Sequence, residues 1–229
     1  MHCKFINHHQ IRRWHMLHAK GLYGILLDAY GKPRWWSDDV FTVMFQAVLV
    51  QNTVWSSVEK TCMLIGNNLT VEYVGSLLPE ELEQLIRPCG FYKAKARTIQ
   101  ALIAWFRGYH FDRKRVQGIP MADVRKELLS IRGIGAETAD VILVYAFYQK
   151  SFIIDAYTRR FLLRLGYEFA DDTAIKIFFE AGLPKDAEIY GWYHWLILDH
   201  CTTVCRKIPK CRECKLKEHC KEGMAENHR

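Results

Sequence analysis

The stretch from Leu129 to Arg160 reads LSIRGIGAETADVILVYAFYQKSFIIDAYTRR and is expected to decide the fold. One helix ends near Leu129, the turn Gly133-Ile134-Gly135 follows, and a second helix is predicted to begin at about Ala136. Two glycines around one apolar residue let the backbone turn sharply and direct its N–H groups outward. Together with the positive end of the second helix, these groups form a cradle for a phosphate-sized anion. Taken alone, the turn fits a purely structural corner between two helices equally well.

A single acid, Asp155, lies in an otherwise apolar strip that follows a predicted break near residues 149–151. An acid in this place serves as the N-cap of a helix over Ala156–Arg160 or as a functional group. Both roles can coexist in one side chain.

The chain of 229 residues suffices for one large or two small domains, and 50% hydrophobic with 25% charged residues indicates a soluble globular protein. A net charge of +7 favours a polyanionic partner, although many basic proteins bind no nucleic acid. No segment reaches the roughly 18 uninterrupted apolar residues of a membrane span. The first residues, MHCKFINHHQIRRWHML, show no secretion-signal core. We therefore expect a cytoplasmic, nucleoid-associated protein without a membrane partner.

Nearly every segment shows the apolar spacing of an amphipathic helix, so the predicted fold class is all-α. Two segments are typical of helix N-caps, Ser37-Asp38-Asp39 and Ser56-Ser57. Pro79 indicates the start of a helix, and Pro88-Cys89-Gly90 indicates its end. Helices are predicted at about residues 11–29, 40–50, 56–65, 79–87, 93–107, 121–130, 161–165, 172–181 and 188–200.

Eight cysteines in a chain of this kind are expected to be metal ligands or free thiols, not disulfides. Thiolates in close proximity repel one another unless a cation neutralises them, so four within sixteen residues share one metal centre or are a coincidence. Zinc sites usually bring two C-x2-C pairs, and only one is present. The four follow the spacing C-x5-C-x2-C-x5-C and are Cys205, Cys211, Cys214 and Cys220.

The combination of GIG at residues 133–135, TAD at 138–140 and IDAYTRR at 154–160 resembles the endonuclease III superfamily of helix-hairpin-helix DNA glycosylases. The segments PRWWSDDVFTVMFQAVLVQNTVWSSVEK, RPCGFYKAKA and GIGxE are most similar to its 3-methyladenine DNA glycosylase III branch. That branch usually lacks the cysteines, which look like the [4Fe–4S] loop of other members. In that loop the first gap is more usually six residues, so Cys201 is an alternative to Cys205 as the first ligand.

The resemblance implies two helical domains that flank a DNA groove. A six-helix domain would occupy residues 34–150, with the helix-hairpin-helix at about 125–149. Residues 1–33 and 151–229 would form a split helical domain that ends in the cluster loop 205–220. The implied partner is double-stranded DNA with a damaged base, bound by a monomer.

The family's bifunctional members carry a lysine two residues after the second glycine, where this chain has Glu137. A carboxylate cannot form a Schiff base, so the resemblance implies a monofunctional glycosylase, unless another lysine such as Lys150 acts instead. Asp155 lies at the family's offset, eighteen residues after Glu137, and would stabilise the oxocarbenium charge. Glu137 is either a second catalytic carboxylate or simply an acid favoured at a helix N-terminus.

Extrusion of the base requires groups that replace it in the duplex and a pocket that receives it. The resemblance assigns duplex contacts to Gln51, Asn52, Gly133, Ile134, Gly135 and Arg159, although Gln51 also fits a plain helix end. A π-rich pocket for a cationic purine would consist of Trp35, Trp36 and Phe45, which could equally be core residues. Some basic side chains between residues 87 and 115, Lys95 among them, are expected to reach phosphates, as are Arg159 and Arg160.

The leading hypothesis is therefore a base-excision DNA glycosylase that removes alkylated purines such as 3-methyladenine. A second hypothesis is a glycosylase for mismatched uracil or thymine or for oxidised pyrimidines, with or without strand cleavage. The third is a non-catalytic iron–sulfur protein that binds DNA.

Overall fold

A computed structural model describes residues 16–225, and within this range every regular element is a helix. None of these helices is long and apolar enough to cross a membrane. The α-helices are α1 (Ala19–Tyr30), α2 (Val40–Leu49), α3 (Trp55–Ile65), α4 (Val71–Ser76), α5 (Pro79–Leu85), α6 (Tyr92–Gly108), α7 (Arg113–Gln117), α8 (Met121–Ser130), α9 (Ala136–Val141), α10 (Ala156–Leu165), α11 (Asp172–Gly182), α12 (Ala187–Thr203) and α13 (Lys221–Ala225). A π-helical segment, Ile142–Ala146, continues α9.

The all-α prediction is confirmed, and local signals account for several helix ends. The N-cap Asp39 accepts a hydrogen bond of 2.6 Å from the N–H of Thr42, as its cluster predicted. Pro79 occupies the first turn of α5. The predicted cap at Ser56-Ser57 is wrong, because α3 already begins at Trp55 with Val54 as N-cap.

The bounds of two predicted helices differ. The first was expected from residue 11, but residues 16–18 are not helical and α1 begins at Ala19; residues 11–15 lie outside the described range. The helix predicted at 161–165 is continuous with the one expected over Ala156–Arg160, and Asp155 caps the combined helix.

The hydrophobic core of the described residues consists of two clusters. The first contains buried side chains from α2 to the π-helical segment, between Val40 and Ile153. The second combines α1 with side chains from Phe152 to Cys220. This partition runs close to the predicted domain boundaries, and the two-domain division itself stays a prediction.

The segment that leads to Asp155 is fixed between the two clusters. The buried carboxylate of Asp140, on α9, accepts hydrogen bonds from Arg125 at 2.9 Å, Ser151 at 2.8 Å and Lys176 at 3.1 Å. These donors come from α8, from the connecting segment and from α11. Phe152 then stacks on Phe179 with ring centroids 3.9 Å apart. Polar and apolar contacts thus hold the Asp155 segment against both halves of the molecule.

Candidate active site

Asp155 is buried at the N-terminus of α10, with 5% of its surface exposed. Its Oδ1 accepts a hydrogen bond of 2.6 Å from the N–H of Thr158, so the side chain is the helix cap. Burial alone would raise the pKa of this carboxyl, but His194 in its protonated form and the hydrogen bonds from Thr158 stabilise the charged form, and the net pKa lies below its ordinary value. Asp155 is therefore a carboxylate at neutral pH.

His194, on α12, faces the other oxygen of that carboxylate. Its Nε2 lies 3.5 Å from Asp155 Oδ2, and both side chains are almost fully buried. On the opposite side of the ring, Nδ1 lies 3.0 Å from the hydroxyl of Tyr145. Burial, followed by the charge of Asp155, raises the pKa of Tyr145 well above its ordinary value, so the hydroxyl keeps its proton.

Glu137 occupies the first turn of α9, where an acid is favoured by the helix dipole. The residue is exposed, yet protein packed around its carboxyl raises the pKa, and the charge of Asp155 raises it further. The carboxyl at the hairpin position and Asp155 therefore influence each other electrostatically.

The turn Gly133–Gly135 has the sharp geometry predicted for it. Gly133 has a φ of 96°, which favours glycine, and a Cβ there would overlap the hydroxyl of Thr98. The Ile134 side chain is 5% exposed, and its N–H already donates to Ile131 O at 3.0 Å. The N–H groups of Gly133 and Gly135 make no hydrogen bond within residues 16–225. Any phosphate contact of the turn would therefore involve the two glycine amides and not Ile134.

The end of α2 contacts this turn directly. The Gln51 side-chain amide donates to Gly133 O at 3.0 Å and to Thr138 Oγ1 at 2.8 Å. Asn52 follows as an exposed residue with a φ of 51°. Gln51 thus lies at the mouth of the hairpin, while its role in the duplex stays a prediction.

The two predicted tryptophans form an aromatic wall together with Tyr145 and Tyr148. The Trp35 ring stacks on that of Tyr148 at a centroid distance of 4.9 Å, and both tryptophans contact Tyr145 at 5.1 and 5.3 Å. Because Tyr145 also bonds His194, this wall adjoins the Asp155 carboxylate. Phe45 is 1% exposed within the first core cluster, so it supports the fold and has no free face for a base.

Two basic residues differ from the expectation that they face phosphates, and a third is paired with an acid. Lys95 is 3% exposed, and its ammonium donates to Leu49 O and Cys89 O at 2.8 Å each. Arg160 points inward and donates to Cys201 O at 2.9 Å. Arg159 is partly exposed but paired with Asp172, its Nε lying 2.8 Å from Oδ1. Only Arg159 of these three could exchange its partner for a phosphate.

The cysteine loop lines a small cavity that is partly open to solvent. Arg164 donates to the carbonyls of Cys205 and Lys207 at 3.1 and 2.9 Å, and so holds the loop against α10. Cys201 does not line the cavity; its thiol contacts Tyr157 O at 3.7 Å. The lining includes all four cysteines of the motif, Cys205, Cys211, Cys214 and Cys220.

The chemistry of this donor set fits a group larger than one metal ion. Among the described residues, no three His, Cys, Asp or Glu side chains converge as a single-ion site requires. Four thiols around one cavity instead suit a cluster of several irons. A hydrogen bond from Cys201 lowers the pKa of the Cys205 thiol against the opposing effect of burial, and His200 and Arg164 lower it further. Burial raises the pKa of the Cys214 thiol to about 11 and also raises that of Cys220, so these two would become thiolates only beside a bound cation, as cluster irons would supply.

Comparison with known proteins gives one family. The model of the HhH-GPD superfamily of base excision DNA repair proteins matches residues 45–184. A Methanocaldococcus jannaschii protein, provisionally named a DNA repair glycosylase, is 41% identical over 206 residues, covering 87% of this chain and 94% of its own. The chain belongs to the HhH-GPD superfamily. It is thus a DNA glycosylase of base excision repair.

Solved structures place this HhH-GPD protein among endonuclease III-like glycosylases. A non-covalent complex of endonuclease III with DNA aligns with a TM-score of 0.76 at 25% identity, over 93% of this chain and 100% of the other. The Helicobacter pylori 3-methyladenine DNA glycosylase bound to 1,N6-ethenoadenine aligns with a TM-score of 0.70 at 24% identity, over 80% and 97%. The second likeness concerns the fold alone.

The sequence reasoning missed His194 and Phe91 of the HhH-GPD protein and assigned Lys95 to the wrong surroundings. His194 lies in a helical run whose spacing does not distinguish it from its neighbours, and no local signal marks it. Lys95 looks like one of several exposed cations on α6. Phe91 is 71% exposed with a φ of 46° directly before α6, and the sequence Pro-Cys-Gly-Phe at a helix start could have indicated such a projecting side chain.

Replacing Gly191 with alanine tests the aromatic wall. A Cβ at this position would lie 2.7 Å from Cζ3 of Trp35 and 3.1 Å from Cε1 of Tyr145. Alanine is otherwise better than glycine in a helix by about 1 kcal/mol. We therefore expect a shifted tryptophan fluorescence and slower base release, measured under single turnover.

The matched control is Gly24→Ala on α1, because a Cβ there meets nothing within 4 Å. This variant should keep the wild-type rate and fluorescence. If Gly191→Ala leaves both the rate and the fluorescence unchanged, the position of Trp35 does not depend on its close contact with α12.

Proposed function

We propose that this glycosylase is monofunctional and removes alkylated purines, such as 3-methyladenine, from double-stranded DNA. The observation that carries the proposal is the pairing of Asp155 with a carboxylate, Glu137, at the hairpin position. The described site thus has a buried acid to stabilise positive charge but no amine on the first turn of α9 to attack the sugar.

Asp155 would act on the sugar once the nucleotide has left the stack. Cleavage of the N-glycosidic bond builds positive charge on the sugar ring. A carboxylate held by Thr158 beside His194 in a dry site stabilises that charge without reorganising. The same carboxylate then orients water for attack on the opposite side from the departing base.

The aromatic wall supports a cationic substrate. An alkylated purine carries positive charge, and the faces of electron-rich rings attract cations. The half-buried Trp35 and Trp36 offer such faces, and two carboxylates, Asp155 and Glu137, lie on the same side of the molecule. Because the alkylated base is already a good leaving group, the site needs no strong general acid.

The DNA surface would combine several elements. Gln51 and the exposed Phe91 lie on turns that Lys95 joins, and both are suited to fill the gap left by an extruded base. The glycine amides of the hairpin and Arg159 would contact phosphates. We propose that the protein acts as a monomer.

The cysteine loop would hold a [4Fe–4S] cluster through Cys205, Cys211, Cys214 and Cys220. Cys205 is preferred over Cys201 as first ligand because it lines the cavity. A cluster bound there would cross-link the loop and would take no part in the reaction of the base. The chain's own Arg164 and Arg160 orient the loop through its carbonyls.

Base release from methylated DNA tests the proposal. Purified protein should release free alkylated purine and leave alkali-labile sites without cutting the strand. Duplexes with mismatched uracil, mismatched thymine or an oxidised pyrimidine test the other lesions. If base is released only from one of these other duplexes, that lesion and not an alkylated purine is the substrate. If the protein binds DNA but releases no base from any duplex, it is not a glycosylase for any of these lesions.

Replacing Glu137 with lysine should introduce the missing amine. Borohydride reduces a Schiff base to a stable protein–DNA adduct, so we expect trapping with an abasic-site duplex for Glu137→Lys and none for the wild type. The adduct is measured by denaturing electrophoresis.

Glu137→Gln serves as the control, because it removes the charge without adding an amine. Trapping by the wild-type protein would instead reveal a different lysine. Lys150, which is exposed before the Asp155 segment, is the first to test, and its loss should then abolish the adduct.

A further inference from the structure

We infer that His194 is the positioning residue of Asp155 and that it receives, through this carboxylate, the proton of the attacking water. The inference rests on the proposed function of Asp155. It adds a second group to the reaction, one that touches neither the sugar nor the base.

The hydrogen bonds of Tyr145 determine which nitrogen of His194 carries a proton. The Tyr145 hydroxyl lies 2.7 Å from the carbonyl oxygen of Gly191, and a carbonyl can only accept. The single hydroxyl proton is therefore used there. The hydroxyl must accept the second bond, so His194 donates to it from a protonated Nδ1 at 3.0 Å. Backbone geometry on α12 thus selects the Nδ1–H tautomer of the neutral ring.

In this tautomer Nε2 has a lone pair and faces the carboxylate. Nε2 is buried and has no hydrogen-bond partner among the described residues, while Asp155 Oδ2 lies 3.5 Å away. Asp155 Oδ1 is occupied by the N–H of Thr158. Two acceptors that face each other in a buried site are unfavourable, and a proton placed between them removes the repulsion. The arrangement is therefore a base waiting for a proton that arrives at Asp155.

The proton balance of the reaction provides that proton. The bond between C1′ and the purine nitrogen breaks, and its electron pair leaves with the alkylated base, which becomes neutral. A water oxygen bonds to C1′ and loses one proton to Asp155 Oδ2. Transfer of this proton to His194 Nε2 restores the carboxylate and forms an imidazolium beside it. The proton reaches solvent after the product leaves.

The surroundings of the ring favour this transfer. Asp155 before α10 and Tyr145 on the π-helical segment contact the imidazole, and Glu137 on α9 interacts with it electrostatically. The two carboxylates stabilise an imidazolium, and the phenol bonds it in either charge state. No lysine or arginine forms a hydrogen bond or ion pair with the ring in the part of the chain that the structure describes.

Nitrogen-15 NMR of the histidine-labelled protein tests the geometry without any substrate. At pH 8 the ring of His194 should show a protonated Nδ1 and an unprotonated Nε2, assigned by comparison with His194→Gln. An Nε2–H tautomer would overturn the inference. Because this measurement needs no reaction, its result is separable from a failure of the proposed glycosylase activity.

Single-turnover rates between pH 5.5 and 8.5 test the proton transfer. The wild-type rate should rise with pH, because only an unprotonated Nε2 can take the proton. In His194→Gln an amide can donate to Asp155 but cannot take a proton, so we expect a rate lower by about 10- to 100-fold and loss of this pH dependence. His194→Asn, which retains only the Tyr145 contact, should be slower still.

Thermal melting and affinity for an uncleavable abasic duplex accompany each variant, and the exposed His18→Gln serves as the control with an unchanged profile. A His194→Gln enzyme with the wild-type rate would overturn the inference. So would a slower enzyme with an unaltered pH profile, because His194 would then only hold the fold. If His194→Gln melts at a clearly lower temperature than the wild type, the pH profile of His194→Asn is compared with that of the wild type instead.

Discussion

Replacing Asp155 with asparagine is expected to lower the rate of base release by about 1000-fold, within the range of electrostatic and general-base contributions. Asparagine is nearly as good an N-cap as aspartate, so α10 should keep its bond to the N–H of Thr158. The loss would therefore come from the missing charge. DNA affinity, measured with an uncleavable duplex, should stay the same or increase, since a negative charge leaves the DNA side.

Asp28→Asn is the matched control, because Asp28 is an exposed carboxylate on α1 away from the site. It should release base at the wild-type rate. An Asp155→Asn protein with an unchanged rate would remove Asp155 from the reaction and leave it the role of a helix cap.

Replacing Cys211 with serine is expected to abolish cluster binding. Thiolates are the ligands of iron–sulfur clusters, and the loss of one from a four-thiol cavity leaves an iron without its ligand. The wild-type protein should be brown and contain iron and acid-labile sulfide, whereas the variant should be colourless. Because the loop packs on α10, the variant should also melt earlier.

Cys62→Ser provides the control, since Cys62 lies on α3 outside the loop and contacts Gln46 at 3.3 Å. It should keep its iron. A colourless wild-type protein that contains one zinc would refute the cluster.

The helical fold and the outline of the site were predictable because short-range physics determines them. Met121–Ser130 was predicted with its observed bounds, and the glycine turn that follows marks its end. Asp155 could be identified from the sequence for the same reason, because an acid among apolar residues is a local signal. The family resemblance added the expectation that the protein binds DNA. The matching family model confirms the superfamily.

The misplaced residues depend on contacts between distant segments. Lys95 has the helical position of an exposed cation, and only the tertiary fold brings the carbonyls of Leu49 and Cys89 to its ammonium. Phe45 belongs to the most apolar helix, where pattern cannot separate a pocket face from a core face. His194 meets Asp155 across nearly 40 residues of chain. Its relation to Tyr145 exists only once α12 and the π-helical segment have packed.

The buried ammonium of Lys95 also limits how the molecule can be taken apart. It joins the end of α2, which leads to Gln51, with the turn that leads to Phe91, two segments about 40 residues apart in sequence. Neither turn is a self-contained module. A designer who transplants the Gln51 turn into another helical scaffold must transfer the Cys89 turn and Lys95 as well, because otherwise the carbonyl of Leu49 loses its donor.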